Sequence, residues 1–276
     1  MSGKLAIVAG SGDLPRRLLE ACRATGRSAF VLALEGHTDR ALVADVPHAW
    51  IRLGAAADGF AALRAAGIAE VVFAGPVRRP SLTSLMPDMR AAKFLARVGL
   101  RTFGDDGLLS AIVKEFEAEG FRVVGIDDVL SDLVAPTGAV GRLMPDDAAR
   151  TDIARGLAVV HALGALDIGQ AVVVEAGVVL GVEAIEGTDA LIERAGRLKR
   201  EGARRGVLVK AKKPEQERRV DLPTIGADTV ERVAAAGLAG IAIEAGAALI
   251  VDRDEVARRA DATGLFVVGI VAGEDP

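Results

Sequence analysis

The first half of the chain alternates short apolar runs with stretches whose apolar positions recur at helical spacing. Apolar runs bounded by Gly, Pro or polar residues predict buried strands. The predicted strands are Leu5–Ala9, Ala29–Leu34, His48–Leu53, Glu70–Ala74 and Arg122–Ile126. The predicted helices are Pro15–Thr25, Asp58–Ala66, Asp88–Val98 and Asp105–Glu119. Strands separated by helices indicate a parallel sheet with helices on its faces, so residues 1–132 are predicted to form a Rossmann-like domain.

The stretch 133–146 interrupts this alternation. It contains two Pro and two Gly and shows no clear hydrophobic period. Such a stretch is typical of a connection between domains, and its apolar residues indicate that it packs on its surroundings. We therefore predict a linker here, followed by a C-terminal α/β domain over residues 147–276.

The pattern of the second half favours a mixed sheet. Ala171–Glu175 and Val178–Glu183 flank Ala176-Gly177, which predicts a β-hairpin. A similar pattern at Gly240–Glu244 and Ala247–Asp252 predicts a second hairpin. Further strands are predicted at Val207–Lys212 and Leu265–Val271, and helices at Asp147–Leu163, Thr188–Arg200, Asp228–Ala236 and Asp254–Thr263. Hairpins mixed with helices indicate an α/β domain with a mixed sheet.

Composition excludes several classes of protein. The 276 residues carry a net charge of −4, and 51% of them are apolar, which is too many for a disordered chain. The single Cys22 excludes a disulfide framework and multi-thiolate metal sites. The balanced charge and an aromatic content of 3% argue against nucleic acid as a partner.

The sequence gives no sign of export or of membrane insertion. The first apolar run ends at Gly10 and is too short for the core of a signal peptide. No window reaches the roughly 18 uninterrupted apolar residues that a spanning helix needs. We therefore expect a cytoplasmic protein, which leaves contact with a membrane surface open.

A glycine-containing turn follows the first strand and opens the first helix. Its backbone N–H groups could approach a phosphate at the helix N-terminus. Pro15 stands where a dinucleotide fingerprint needs a third glycine, although Glu35 lies where a ribose-binding acid is expected. Ligand binding is therefore favoured over a plain turn, and binding of a nicotinamide dinucleotide is disfavoured. The candidate substrate-binding residues are Gly10, Ser11, Gly12, Asp13, Leu14 and Pro15.

Two further turns in the first half carry charged residues. Gly75, Val77 and Arg79 follow a predicted strand end, where ligands of open α/β sheets collect and where an Arg could hold phosphate. Asp105 and Asp106 precede a long predicted helix, and paired carboxylates of this kind either bind a hard cation or cap the helix.

The densest acidic cluster lies between a predicted strand and a predicted helix of the second half. Glu183, Glu186 and Asp189 crowd this junction around Gly187 and Thr188. Three carboxylates exceed what a helix cap needs, and their repulsion has to be offset by a cation or by hydrogen bonds.

A basic stretch with one distinctive acid follows. Lys210 and Lys213 could neutralise a diphosphate, and Asp221 could bind a metal or act on water. Asp221 is followed by Thr224, Ile225 and Gly226 in a segment punctuated by Pro and Gly, which favours function over a charged surface ribbon.

Six segments together resemble the LpxI-type UDP-2,3-diacylglucosamine pyrophosphatases. They are Gly10–Pro15, Gly75–Pro80, Gly104–Leu109, Asp167–Gln170, Val182–Asp189 and Asp221–Gly226, in the same order along nearly the whole chain. Val182–Asp189 and Asp221–Gly226 are the specific ones. One position departs from the family, because Gln216 is followed by Glu217 where an Asp is usual. The carboxylate is kept there, but its reach changes.

The resemblance implies an enzyme of lipid A biosynthesis that uses Mg²⁺. Such enzymes hydrolyse UDP-2,3-diacylglucosamine to UMP and 2,3-diacylglucosamine 1-phosphate (lipid X), with substrate held between two domains and water attacking the phosphate on the sugar side. The resemblance further implies contact with the cytoplasmic face of the inner membrane. It leaves open whether the protein forms a homodimer. Asp221 matches the family's essential acid.

Chemistry completes the predicted site. Glu183 and Glu186 are assigned with Asp221 as catalytic residues and magnesium ligands, and Gln170 joins the substrate-binding residues. Two alternatives remain: a nucleotide-dependent oxidoreductase, and a carrier that binds lipid or nucleotide without turnover.

Overall fold

The structure, a computed structural model, describes residues 3–78, 86–98, 105–198, 205–214 and 216–271. Contacts divide the chain into two compact units. The N-terminal unit comprises Met1–Ser131 together with Glu217–Asp221, and the C-terminal unit comprises Asp132–Gln216 together with Leu222–Pro276.

The N-terminal unit contains a five-stranded parallel sheet in the order β3-β2-β1-β4-β5. Its strands are β1 (Leu5–Ala9), β2 (Ala29–Leu34), β3 (His48–Ile51), β4 (Glu70–Ala74) and β5 (Arg122–Val123). Its helices are α1 (Leu14–Ala24), α2 (Ala56–Ala65), α3 (Met89–Val98), α4 (Asp105–Ala118) and α5 (Ile126–Val129), with a 3₁₀ turn at Arg40–Val43. The predicted parallel-sheet architecture is confirmed. The last predicted strand is shorter than expected, because Ile126 already begins α5.

Apolar faces of the helices close the core of this unit. Every residue of β1 is buried, and α1 turns Leu18, Leu19 and Cys22 inward at helical spacing. Half of the eight Phe residues of the chain pack together here, with ring centroids 4.9 Å apart for Phe60–Phe116 and 5.0 Å apart for Phe73–Phe116. The scarce aromatics therefore serve as core in this unit.

The C-terminal unit is built on a six-stranded mixed sheet in the order β6-β13-β11-β9-β7-β8. Its strands are β6 (Gly138–Ala139), β7 (Ala171–Glu175), β8 (Val178–Val182), β9 (Val207–Lys210), β11 (Gly240–Glu244) and β13 (Phe266–Ile270). A separate two-stranded sheet pairs β10 (Thr224–Ile225) with β12 (Leu249–Ile250). The helices are α6 (Asp147–Ala165), α7 (Gly187–Leu198), α8 (Ala227–Ala235) and α9 (Arg253–Thr263).

Helices cover both faces of the mixed sheet. Val172 and Val174 of β7 pack with residues of α6, whereas Val173 packs on the other face with residues of α7, α8 and α9. Successive strand residues point to opposite faces, so both sets are buried only because both faces are covered. This accounts for the uninterrupted apolar run that predicts β7.

One predicted hairpin forms and the other does not. β7 and β8 pair antiparallel around Ala176-Gly177, as predicted. The prediction of a second hairpin from Gly240–Glu244 is wrong, because β11 is paired on both edges by the parallel strands β9 and β13. With no edge left on β11, the following segment pairs with β10 instead.

The stretch predicted as a linker folds within the C-terminal unit. Gly138–Ala139 forms β6 and pairs antiparallel with β13, and Val134 bridges to Leu249. Among the helices in the described part of the chain, none combines the length and the apolar character needed to cross a bilayer.

Candidate functional site

Two glycine turns of the N-terminal unit interlock at the carboxyl ends of β1 and β4. The amide of Gly10 donates to the carbonyl of Ala74 at 2.8 Å, and the amide and hydroxyl of Ser11 each donate to the carbonyl of Pro76 at 3.0 Å. β1 and β4 flank the point where the strand order of the sheet reverses, which is where open α/β sheets bind ligands. The predicted glycine turn therefore lies at the expected edge.

The space between these turns excludes any side chain. A Cβ atom on Gly10 would lie 2.4 Å from the carbonyl oxygen of Gly75, and one on Gly75 would lie 2.1 Å from that of Ser11. Gly75 also has a φ of +87°, in the region that favours glycine.

Replacement of Gly75 by Ala is expected to lower the free energy of unfolding by about 3 kcal/mol, because backbone strain and a backbone clash add. Gly26→Ala is the matched control, since Gly26 has a φ of +66° but a Cβ atom added there would meet nothing within 4 Å. It should cost only about 1 kcal/mol. Chemical denaturation of both variants measures the difference. Equal losses would show that the contact between the two turns contributes nothing.

Charge at the first turn is largely balanced within α1. The carboxylate of Asp13 pairs with Arg16 at 2.7 Å and with Arg17 at 3.7 Å, and Pro15 is buried in the first turn of the helix. Leu14 begins the helix beside them.

The two other predicted turns of this unit are only partly described. Val77 is exposed, Arg79 lies outside the described residues, and Asp105 and Asp106 begin α4 although their side chains lie outside the description.

An open cavity of about 960 Å³ lies in the same unit, beyond the ends of β2 and β3. Its lining includes Glu35, His37, Arg40 and Trp50. The buried hydroxyl of Thr38 supports the wall by accepting from the amide of Leu34 at 2.8 Å and donating to the carbonyl of Ala9. The proposed ribose-binding acid, Glu35, therefore borders a real depression.

Buried Glu183 is the centre of a polar cluster in the C-terminal unit. Its carboxylate accepts from the hydroxyl of Thr188 at 2.5 Å and from the amide of Gln170 at 3.0 Å. The ammonium of Lys210, itself buried, donates to the hydroxyl of Thr188 at 3.0 Å and to the carbonyl of Thr224 at 3.2 Å. The sequence predicted all five residues as site residues, and the structure brings them together.

Sheet topology explains this convergence. β7 runs antiparallel to both β8 and β9, with Val172 opposite Val182 and Ala171 opposite Lys210. The start of β7 therefore lies at the same edge as the carboxyl ends of β8 and β9. Glu183 directly follows β8, and the first turn of α7 supplies Thr188.

A second buried layer fixes the loop after β9. Lys213 pairs with Asp167 at 2.6 Å, and its backbone amide donates to the side chain of Gln216 at 3.0 Å. The side-chain amide of Gln216 donates in turn to the side-chain oxygen of Gln170 at 3.1 Å. Asp167 adopts a φ of +53°, which is uncommon for a residue with a side chain.

Sequence reasoning missed two members of this layer. Asp167 belongs to a segment of the family resemblance, so its position was available as a signal. Gln216 lies in a loop without hydrophobic period, and it was noted only as the residue before Glu217 in the comparison with the family.

The other two acids of the predicted cluster point elsewhere. The carboxylate of Glu186 pairs with Arg194 at 2.8 Å, and hydrogen bonds from the backbone and from Arg194 lower the pKa of that carboxyl. Asp189 is exposed and pairs with Arg232 at 3.3 Å. Neither hydrogen-bonds with Glu183 in the contacts that the structure gives.

The remaining predicted residues of this unit lie at the ends of helices or inside a strand. Gly187 begins α7, Ile225 is buried in β10, and Gly226 is the N-cap of α8.

Asp221 ends a short turn that belongs to the N-terminal unit. The carbonyl of Glu217 accepts from the amides of Val220 and Asp221, both at 3.1 Å. The carboxylate of Glu217 accepts from Arg219 at 2.8 and 2.9 Å, and this pairing lowers the pKa of Glu217. Glu217, where the family usually has Asp, is therefore engaged with Arg219.

The predicted magnesium ligands are Asp221, Glu183 and Glu186. Within the described residues, no group of three or more His, Cys, Asp or Glu side chains is arranged to hold a metal ion. Mg²⁺ is commonly bound by one or two carboxylates together with substrate phosphates and waters. Binding of Mg²⁺ by Asp221 together with substrate phosphates would be of this kind. The carboxylate of Glu186 pairs with Arg194 at 2.8 Å.

Together, these features describe a two-unit α/β protein with polar candidate sites at the strand ends of both sheets. Residues 4–133 match the family model described as the LpxI N-terminal domain, and residues 136–268 match that of the LpxI C-terminal domain. A protein of Caulobacter vibrioides named UDP-2,3-diacylglucosamine pyrophosphatase LpxI is 45% identical over 279 residues, covering 99% of each chain. The chain belongs to the LpxI family.

Proposed function

We propose that this chain hydrolyses the diphosphate of UDP-2,3-diacylglucosamine, giving UMP and 2,3-diacylglucosamine 1-phosphate (lipid X). The observation that carries the proposal is the full-length relationship to a protein named for this substrate. The buried cluster around Lys210 supports it, because an anionic diphosphate needs donors at a site from which bulk water is excluded.

In the proposed reaction, a water oxygen bonds to one phosphorus and the anhydride bond to the other phosphate breaks. Asp221 orients the attacking water and accepts its proton. Lys210 donates a charge-assisted hydrogen bond to a phosphate oxygen, while Thr188 and Glu183 hold the Lys210 side chain in place. Asp221 would hold Mg²⁺ together with phosphate oxygens, and this metal would polarise the phosphate and lower the pKa of the attacking water.

We also propose that the enzyme works at the cytoplasmic face of the inner membrane, because its diacylated substrate resides in a bilayer. A homodimer and the cytoplasmic location stay predictions.

The proposal predicts that purified protein releases UMP from UDP-2,3-diacylglucosamine and that EDTA lowers the rate at least ~100-fold, with recovery on added Mg²⁺. Chromatography of the nucleotide product measures this. Binding of lipid X without UMP release would favour a carrier. A bound nicotinamide cofactor without UMP release would favour the oxidoreductase alternative, whose ribose site would border Glu35.

A further inference from the structure

The segment that carries Asp221 belongs to a different unit from the residues on either side of it. Glu217–Asp221 contacts the N-terminal unit, although Gln216 before it and Leu222 after it both belong to the C-terminal unit. The position of Asp221 therefore depends on the contacts that these five residues make with the rest of the N-terminal unit.

Two arginines attach the segment to the N-terminal unit. Arg218 pairs with Asp127, at the start of α5, at 2.8 Å. Arg219 pairs with Glu117, in the last turn of α4, at 2.6 Å. The carboxylate of Asp127 is mostly buried, with a side-chain exposure of 12%, so this pair is less screened by solvent than an ordinary surface pair.

The segment transmits this attachment to Asp221 because it is internally cross-linked. Arg219 bonds to Glu217 as well as to Glu117, and the carbonyl of Glu217 accepts from the amide of Asp221 at 3.1 Å. Flanking carboxylates raise the pKa of Arg219, first through the hydrogen bond to Glu217, so it stays charged. These contacts link Glu117, Arg219, Glu217 and Asp221 in one continuous chain of hydrogen bonds.

We infer that Asp127 and Glu117 are positioning residues for the hydrolysis, which act on Asp221 through Arg218 and Arg219. The inference rests on the proposed role of Asp221. Because the arginine of each pair is still partly exposed, these ion pairs contribute little to stability. A displacement of about 1 Å of a catalytic group can nevertheless lower the rate by as much as about 100-fold. The signature of positioning is therefore a large loss of kcat with little loss of stability.

A double-mutant cycle tests the inference with Asp127→Asn, Arg218→Ala and the double variant. Each single variant is expected to lower kcat roughly 10- to 100-fold, with KM changed less than about threefold and Tm by only a few degrees. The double variant should lose no more activity than either single one, because both break the same contact. Arg218→Lys should recover much of the rate, since it keeps the charge.

Asp261→Asn is the matched control. Asp261 also accepts a hydrogen bond from an exposed arginine, Arg142, at 3.0 Å, and the side chain of Asp261 is 18% exposed. It lies on α9, in the C-terminal unit. The kcat of the Asp261→Asn variant should stay within about twofold of that of the parent enzyme.

Three results would overturn the inference: single variants with unchanged kcat, losses that multiply in the double variant, or a control that loses as much activity. If Asp127→Asn unfolds, Arg218→Ala decides alone, because that arginine is half-exposed and its removal leaves the core intact. A parent enzyme that releases no UMP would instead refute the proposed function itself.

Discussion

Replacement of Asp221 by Ala is expected to abolish UMP release and leave the fold intact. The side chain is half-buried, and it lies at the end of a turn. Backbone hydrogen bonds to the carbonyl of Glu217 close this turn. Removal of a general base alone lowers a rate by about 10²- to 10⁴-fold, and loss of a metal ligand adds to this. We therefore expect kcat to fall at least ~1,000-fold, as measured by UMP release under saturating substrate.

Asp228→Ala provides the control for this experiment. Asp228 is an acid in the first turn of α8, only a few residues further along the chain, and it has no proposed role. Its rate should match that of the parent enzyme, and both variants should unfold at nearly the parent temperature. An Asp221→Ala enzyme that keeps more than about a tenth of the parent activity would show that another group activates the water.

Hydrophobic pattern predicted the secondary structure well because both sheets are covered on their faces. β1 and β7 are buried throughout, so their residues are mostly apolar whichever face they point to. The same pattern says nothing about which strand edges pair. The predicted hairpin after β11 failed for this reason, since pairing on both edges of β11 involves strands that are distant in sequence.

Proximity in sequence was a poor guide to the composition of the site. Glu183 and Glu186 are near neighbours in the chain, but only Glu183 enters the buried cluster, while Glu186 turns toward Arg194. Lys210 is distant in sequence and joins the cluster through the antiparallel pairing of β7 with β9. The assignment of Asp221 to the N-terminal unit could not be predicted either, because a boundary drawn along the sequence assumes continuous domains.

Replacement of Lys210 by Met is expected to lower kcat/KM by at least ~100-fold. The substitution keeps the apolar stem and removes a buried ammonium that donates to Thr188 and to the carbonyl of Thr224. Loss of a single preorganised donor to a phosphate or oxyanion costs about 10²- to 10³-fold in rate. Stability should also fall by about 1–3 kcal/mol, because the carbonyl of Thr224 loses this donor.

Lys212→Met separates the two effects of that substitution. Lys212 lies just beyond the end of β9, and its ammonium also donates to backbone carbonyls, those of Lys213 at 3.0 Å and Pro214 at 3.5 Å. Both variants should lose stability, but only the Lys210 variant should lose activity once rates are corrected for the folded fraction. Equal activity in the two variants would reduce Lys210 to a structural residue. A selective loss would instead place the phosphate donor at the edge where β8 and β9 end, because Lys210 is the last residue of β9 and Glu183 follows β8 directly.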